Sequence, residues 1–278
     1  MNLKSMADEI TIIRPIRGNL WREFKELLRY RELGYFLVWR DLKIRYKQTV
    51  LGIGWALLQP FLQMVVFSIF FGKLVKIPSE GVSYPVFVYA GLLPWTFFAN
   101  AVNACNYAVI NNAGLIRKIY FPRLLIPLSA LGTGLVDFLL AFLMLLAIML
   151  FYQMPLTIGL LWLIPLTAIL FLTGLGVGAL LAAAAVAYRD IRHLVPFLVQ
   201  LWFFITPVIY PATIVAPRWR FLLNLNPMAG IVTEFRAIIL HKPIDFAGLY
   251  LAGAIGLLFC ICGVWFFNRK AREFADII

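Results

Sequence analysis

Apolar residues in this chain fall into long unbroken blocks, not into the short alternations of a sheet. Six blocks stand out, at about 52–72, 86–110, 124–152, 160–188, 194–210 and 246–267. Each reaches the ~17–25 residues needed to cross a hydrocarbon core about 30 Å thick, and the third is long enough to tilt or protrude. The stretch 211–245 is also apolar, but Pro217 and Asn226-Pro227 interrupt it and Glu234 and Arg236 sit in its middle. That pattern predicts two short helices dipping into the outer half of a bilayer, where protein or water must satisfy the irregular backbone. Upstream, over residues 19–33, Leu20, Phe24, Leu27 and Leu28 share one helical face with Trp21 at its edge. Arg22, Lys25, Glu26 and Arg29 fill the rest. This spacing predicts a helix lying in the headgroup plane, the alternative being a solvated helix against a soluble partner.

Composition turns the pattern into a class. The chain is 63% hydrophobic and 14% charged, with a mean hydropathy of +0.88, against about half and about a quarter in a soluble domain. The fold class is all-α, a polytopic membrane protein with six transmembrane helices. The +12 net charge does not point to nucleic acid, because eleven of the 25 Lys and Arg lie between Lys4 and Lys47, ahead of the first apolar block. Basic flanks of that kind stay on the cytoplasmic side and attract anionic headgroups. Six spans with both ends in the cytoplasm leave nineteen basic residues inside and six outside. A seventh would move Arg269, Lys270 and Arg272 outside and put Glu234 in hydrocarbon. The organisation expected is a cytosolic segment 1–34 with the interface helix, a transmembrane domain 35–270 and a cytosolic tail 271–278. The first thirty residues carry no apolar core of a secretory signal.

Candidate chemistry is sparse. The only Gly-Lys pair, Gly72-Lys73, is followed by Leu and lacks the Gly five positions earlier that a phosphate-binding loop needs. Cys105, Cys260 and Cys262 sit in apolar runs, far from His193 and His241 in any metal-like spacing, and read as buried hydrophobes. No paired carboxylates suggest a membrane glycosyltransferase. Asp137 is the only acid deep in an apolar block, and it is either a structural hydrogen-bonding group or the proton site of a carrier that works without an ATPase. Thr96, Asn100, Asn103 and Tyr107 form one polar stripe along the second block, serving as interhelical glue or as the lining of a path. Gly174, Gly178 and Ala182 to Ala185 give the fourth block a small-residue face for close packing. Phe197, Trp202, Phe203, Phe204 and Tyr210 are either part of an interfacial belt or stacking platforms for sugar rings.

Five segments carry a resemblance. W-R-D-L-K-I-R-Y-K-Q-T-V-L-G-I-G-W-A-L-L-Q-P (39–60) is the most specific. With it come G-L-L-P-W-T-F-F-A-N-A-V (91–102), L-I-R-K-I-Y-F-P-R (115–123), Y-R-D-I-R-H (188–193) and Q-L-W-F-F-I-T-P-V-I-Y-P (200–211). In this order they resemble the type-2 ABC export permeases of polysaccharides, of the O-antigen (lipopolysaccharide) export kind. The resemblance implies a homodimer in the bacterial inner membrane, docked on two copies of a cytosolic ABC ATPase that holds the ATP and Mg. This chain would bind no cofactor and catalyse nothing. The implied cargo is a lipid-linked polysaccharide; capsule, teichoic acid or a small hydrophobic molecule are the alternatives. Arg117, Lys118, Ile119, Tyr120 and Phe121 resemble the ATPase-coupling loop. Residues 226–240, with Pro227, Glu234 and Arg236, resemble the external gate. Arg40, Lys43, Arg45 and Lys47 either receive the lipid headgroup or simply set topology. Trp202, Phe203 and Tyr210 are the candidates for glycan contact.

Overall fold

The computed structural model describes residues 20–47, 52 and 54–274, with side chains from Lys25 onward. The expectations for Leu20, Trp21, Arg22 and Phe24 as a side-chain face, the 48–51 junction and the end of the tail therefore lie outside the described residues. Among the described residues the chain is helical and has no strand. A ten-residue helix, α1 (Leu20–Arg29), is followed at once by α2 (Arg31–Lys47), which carries all four basic residues assigned to headgroup contact. Gly52, at φ +51°, then turns the chain into α3 (Gly54–Phe67), whose C-terminal end continues as a π-helical stretch, Ser68–Leu74. Further along come α4 (Tyr84–Asn111), α5 (Ala113–Lys118), α6 (Leu125–Phe151), α7 (Leu163–Ala187) and α8 (Ile191–Ile205). The chain ends with α9 (Arg220–Leu225), α10 (Pro227–Ile239) and α11 (Phe246–Ala271).

Among the described residues, five helical segments are long and apolar enough to cross a membrane: Gly54–Leu74, Tyr84–Asn111, Leu125–Phe151, Ile158–Ala187 and Phe246–Ala271. The fifth block in chain order differs from expectation. It forms only the 15-residue α8 instead of a helix over 194–210, about 22 Å at 1.5 Å per residue. Pro207 is the cause, because it has no N–H to continue the ladder and biases Thr206 into extended backbone at ψ 135°. Beyond it, Asn226-Pro227 starts α10, with the Asn226 side chain accepting from Met228 N and Pro227 in the first turn, where a missing N–H costs nothing.

α4 is the hub. It packs on α3, α6, α7, α8 and α10, and residues 86–90 are fully buried. The closest approach is between α7 and α11. A Cβ on Gly263 would overlap the Gly176 carbonyl oxygen, and one on Gly176 would overlap the backbone of Phe259 and Cys260. Gly176, not the expected Gly174, is thus the tight contact. Gly174 has no neighbour closer than 3.7 Å, whereas Gly178 sits 2.9 Å from Cys105 Sγ when given a Cβ. Gly263→Val should force α7 and α11 apart and cost more than ~3 kcal/mol, leaving little folded protein in size-exclusion profiles. Gly253→Ala on the same helix meets only Ile169 at 3.5 Å and should behave as wild type.

Candidate functional site

The polar stripe of α4 faces two connected hollows. One, of about 400 Å³, lies between α2, α3, α4 and α6, and is lined by Arg45, Tyr46, Trp55, Gln59, Asn100 and Asp137 among others. The second, of about 350 Å³, is a groove between α3, α4 and α8, where Gln63, Trp95, Gln200, Phe203 and Phe204 join the walls. Gln59, Thr96, Asn100 and Asn103 border both. Gln59, Asn100 and Gln200 are exposed on the flank of the bundle, and Asn103 Oδ1 has no protein partner among the described residues. An unpaired amide facing hydrocarbon costs roughly 1–3 kcal/mol, so a row of them marks a surface meant for water, ligand or another polar surface. Tyr107, the fourth member of the stripe, does something else. Its hydroxyl donates to Arg192 O at 3.0 Å, as does Asn106 Nδ2 at 3.0 Å, so it fastens the 188–193 loop.

Asp137 is not isolated. The Arg45 guanidinium and the Tyr46 hydroxyl both donate to its carboxylate from the last turn of α2. α2 reaches this point because it runs parallel to the first half of α6. Leu125 packs at Gly34 and Val38 packs at Gly132, where a Cβ would come within 2.8 Å of a valine methyl. Burial, reinforced by the bond to Asp137, pushes the Tyr46 hydroxyl up to about 12. Arg40 pairs with Asp41 at 2.7 Å and donates to Asn112 Oδ1 at 2.8 Å, tying α2 to the end of α4. Lys43 and Lys47 are exposed. Of the four cations expected to meet a headgroup, two are therefore engaged with the protein and two point outward.

Beyond the C-terminal end of α4, Arg117 and Lys118 close α5, and Ile119 and Tyr120 are 48% and 54% exposed. Phe121 departs from the expected docking role. It is 4% exposed and packs in a cluster with Leu124, Leu125, Phe267 and Phe274, so it anchors the loop from within. The Tyr120 hydroxyl donates to Glu26 at 3.3 Å, tethering the loop to α1, and its own proton is held more tightly by burial and by that carboxylate.

The N-terminal end of α4 is held by the 226–240 segment. Arg236, 3% exposed, donates to the carbonyls of Phe87, Pro207, Val208 and Tyr210 at 3.3, 3.0, 2.6 and 3.3 Å, and its guanidinium lies 3.8 Å from the Phe87 ring centroid. Glu234 is equally buried and accepts from Asp245 N at 3.2 Å; Pro227 is buried in the first turn of α10. Of the three aromatics assigned to glycan contact, only Phe203 lines the groove. Trp202 Nε1 donates to Asn226 Oδ1 at 2.9 Å, and the Tyr210 hydroxyl donates to Phe204 O at 3.1 Å, closing the end of α8. The glutamines Gln59, Gln63 and Gln200 went unnoticed in the sequence, although amides inside apolar blocks carry the same signal as Asn100 and Asn103.

A family model described as ABC-2 type transporter matches residues 32–240. The O-antigen export system permease protein RfbA of Myxococcus xanthus is 34% identical over 267 residues, covering 92% of this chain and 99% of that protein. RfbA of Klebsiella pneumoniae is 27% identical over 86% of this chain and 92% of its own length. The polysialic acid transport protein KpsM of Escherichia coli is 25% identical over 72% and 78%. With the apolar spans and the groove, these matches identify the chain as a membrane-embedded transport component that belongs to the ABC-2 type transporter family.

Proposed function

We propose that this chain is the permease of an ATP-driven exporter that moves a lipid-linked, O-antigen-like polysaccharide across the bacterial inner membrane. Two copies face each other across the groove of α3, α4 and α8, and two copies of a cytosolic ABC ATPase drive them from below. α8 with the residues after it counts as the fifth of six spans, and both termini are cytoplasmic. α9 and α10 shield the outer mouth. The observation that carries this reading is the line of amides with aromatic neighbours, Trp95, Phe203 and Phe204, on a flank that would otherwise face lipid. Amides exchange hydrogen bonds with successive hydroxyls, and ring faces slide along sugar faces, so the surface suits a long glycan better than a hydrophobic molecule. The relatives named for O-antigen and polysialic acid transport support the same class of cargo. A single paired carboxylate, Asp137, gives little support to a proton relay.

Reconstitution with the ATPase in vesicles tests it: ATP-dependent movement of a polyprenyl-linked glycan is expected, and transport without any ATPase would overturn it. The docking role falls on the exposed part of the loop. Ile119→Asp with Tyr120→Ala should cut glycan-stimulated ATP turnover at least ~10-fold, since two anchors at about 1 kcal/mol or more each set that scale, while the permease dimer survives size exclusion. Unchanged turnover would move the docking surface elsewhere.

A further inference from the structure

We infer that Asp137 occupies, in this state, the place of the cargo's phosphate, so that the Arg45–Asp137 pair is an exchangeable latch on the 400 Å³ hollow. The inference rests on the cargo being lipid-linked through phosphate, as proposed above, and adds how the site admits it. Three features of the geometry converge. The pair bridges the last turn of α2 and the middle of α6, at the edge of the hollow, and it is not sealed in: the side chains are 43% and 19% exposed. Arg45 is the cation of α2 that lines the hollow, whereas Arg40 is committed to Asp41 and Asn112 farther down. The end of α2 that carries the latch leads into Gly52, held at φ +51°, where a turn suited to glycine separates α2 from α3.

The chemistry of exchange follows. A guanidinium binds a carboxylate and a phosphate through the same planar fork, and a pyrophosphate linkage, with one negative charge on each of its two phosphates, is the stronger competitor. When a phosphate takes Arg45, Asp137 exchanges both its donors, the Arg45 guanidinium and the Tyr46 hydroxyl, for water as the hollow opens. The end of α2 is then released from α6, while Val38 in Gly132 holds its middle. Without phosphate the carboxylate returns and the hollow closes against lipid. Asp137 is a positioning residue here, acting through Arg45.

The test uses the full chain, with its ATPase, in nanodiscs of zwitterionic lipid containing either polyprenyl pyrophosphate or none, and separately with free inorganic pyrophosphate. Asp137→Asn should bind the pyrophosphate lipid about 10-fold tighter than wild type, Arg45→Gln at least 10-fold weaker, and the double variant no better than Arg45→Gln alone. A merely structural pair predicts that both single variants bind alike or worse. Should Asp137→Asn fail to assemble, spin labels at Lys47 and Leu139 in the otherwise wild-type chain report the latch directly. Their separation should grow when the pyrophosphate lipid is added. Response to the lipid but not to free pyrophosphate identifies the headgroup at the membrane as the ligand; response to both shows that the anion alone suffices. Asp137→Asn binding no tighter than wild type, or an unchanged label distance, overturns the latch. Glycan export measured in the same nanodisc-derived vesicles stands apart: export with an inert pair removes the latch only, and a working pair without glycan export removes the cargo assignment only.

Discussion

Arg236→Met is expected to unfold the region around the N-terminal end of α4, lowering stability by about 3–5 kcal/mol. The guanidinium donates to the carbonyls of Phe87, Pro207, Val208 and Tyr210, at the place where Pro207 has ended α8. A buried carbonyl stripped of its donor costs roughly 1–3 kcal/mol, and the stacking on Phe87 adds up to about 2 kcal/mol where water is excluded. Met fills the volume and supplies no donor. Arg236→Lys keeps the charge but offers a single point of donation, so it should recover less than half of the loss. Gly91→Ala should mimic the defect from the opposite side, because a Cβ there falls 2.5 Å from Arg236 Nη2 and 2.8 Å from Val208 O. Thermal unfolding in detergent, followed by tryptophan fluorescence, ranks the variants. Arg236→Met unfolding within a degree of wild type would mean that water, not this side chain, satisfies those carbonyls.

The same arginine shows where sequence reasoning stops. Block length and prolines placed α4, α6, α7 and α11 within a few residues, since hydropathy reports what lipid demands of a helix. Hydropathy could not report that 206–210 leave the helix. Those residues are as apolar as α8 itself, and their stability outside a helix depends on Arg236, about thirty residues downstream. Glu234 and Arg236 were legible as too polar for a span, yet their partners were not. Asp137 presented the same difficulty. A lone acid in the third block had two readings until α2 was found lying parallel to α6, with Arg45 ninety-two residues away in sequence. Phe121 looked like Tyr120 in sequence because both flank a basic turn. Only the convergence of α6 and α11 makes one buried and the other exposed. The amide stripe was half legible: the period of α4 announced Asn100 and Asn103, while Gln59, Gln63 and Gln200 lie on two other helices whose approach no local pattern encodes.

Converting that stripe to hydrocarbon should stop transport without harming the fold. Gln59→Leu, Asn100→Leu and Asn103→Leu together remove three amides that border both hollows. Among the described residues no side-chain hydrogen bond ties these three amides to the rest of the protein, so no such bond is lost. Leucine is also welcome in a bilayer, which favours insertion. The cargo is what suffers. A sugar hydroxyl that leaves water regains a partner on an amide, worth about 1 kcal/mol net per bond; three such bonds forfeited along one protomer raise the passage barrier by roughly 3 kcal/mol, or about a hundredfold in rate. ATP turnover by the proposed ATPase partner should persist, because residues 115–123 are untouched, so glycan moved per ATP is the quantity to measure. Asn106→Leu is the matched control. It lies one residue from the stripe's own register, donates to Arg192 O and lines neither hollow, so it should lower stability and leave the export rate of the folded fraction near normal. If instead the triple leucine chain exports at the wild-type rate, the polymer does not pass along α4, and the exposed amides of this flank serve contact with another polar surface rather than passage.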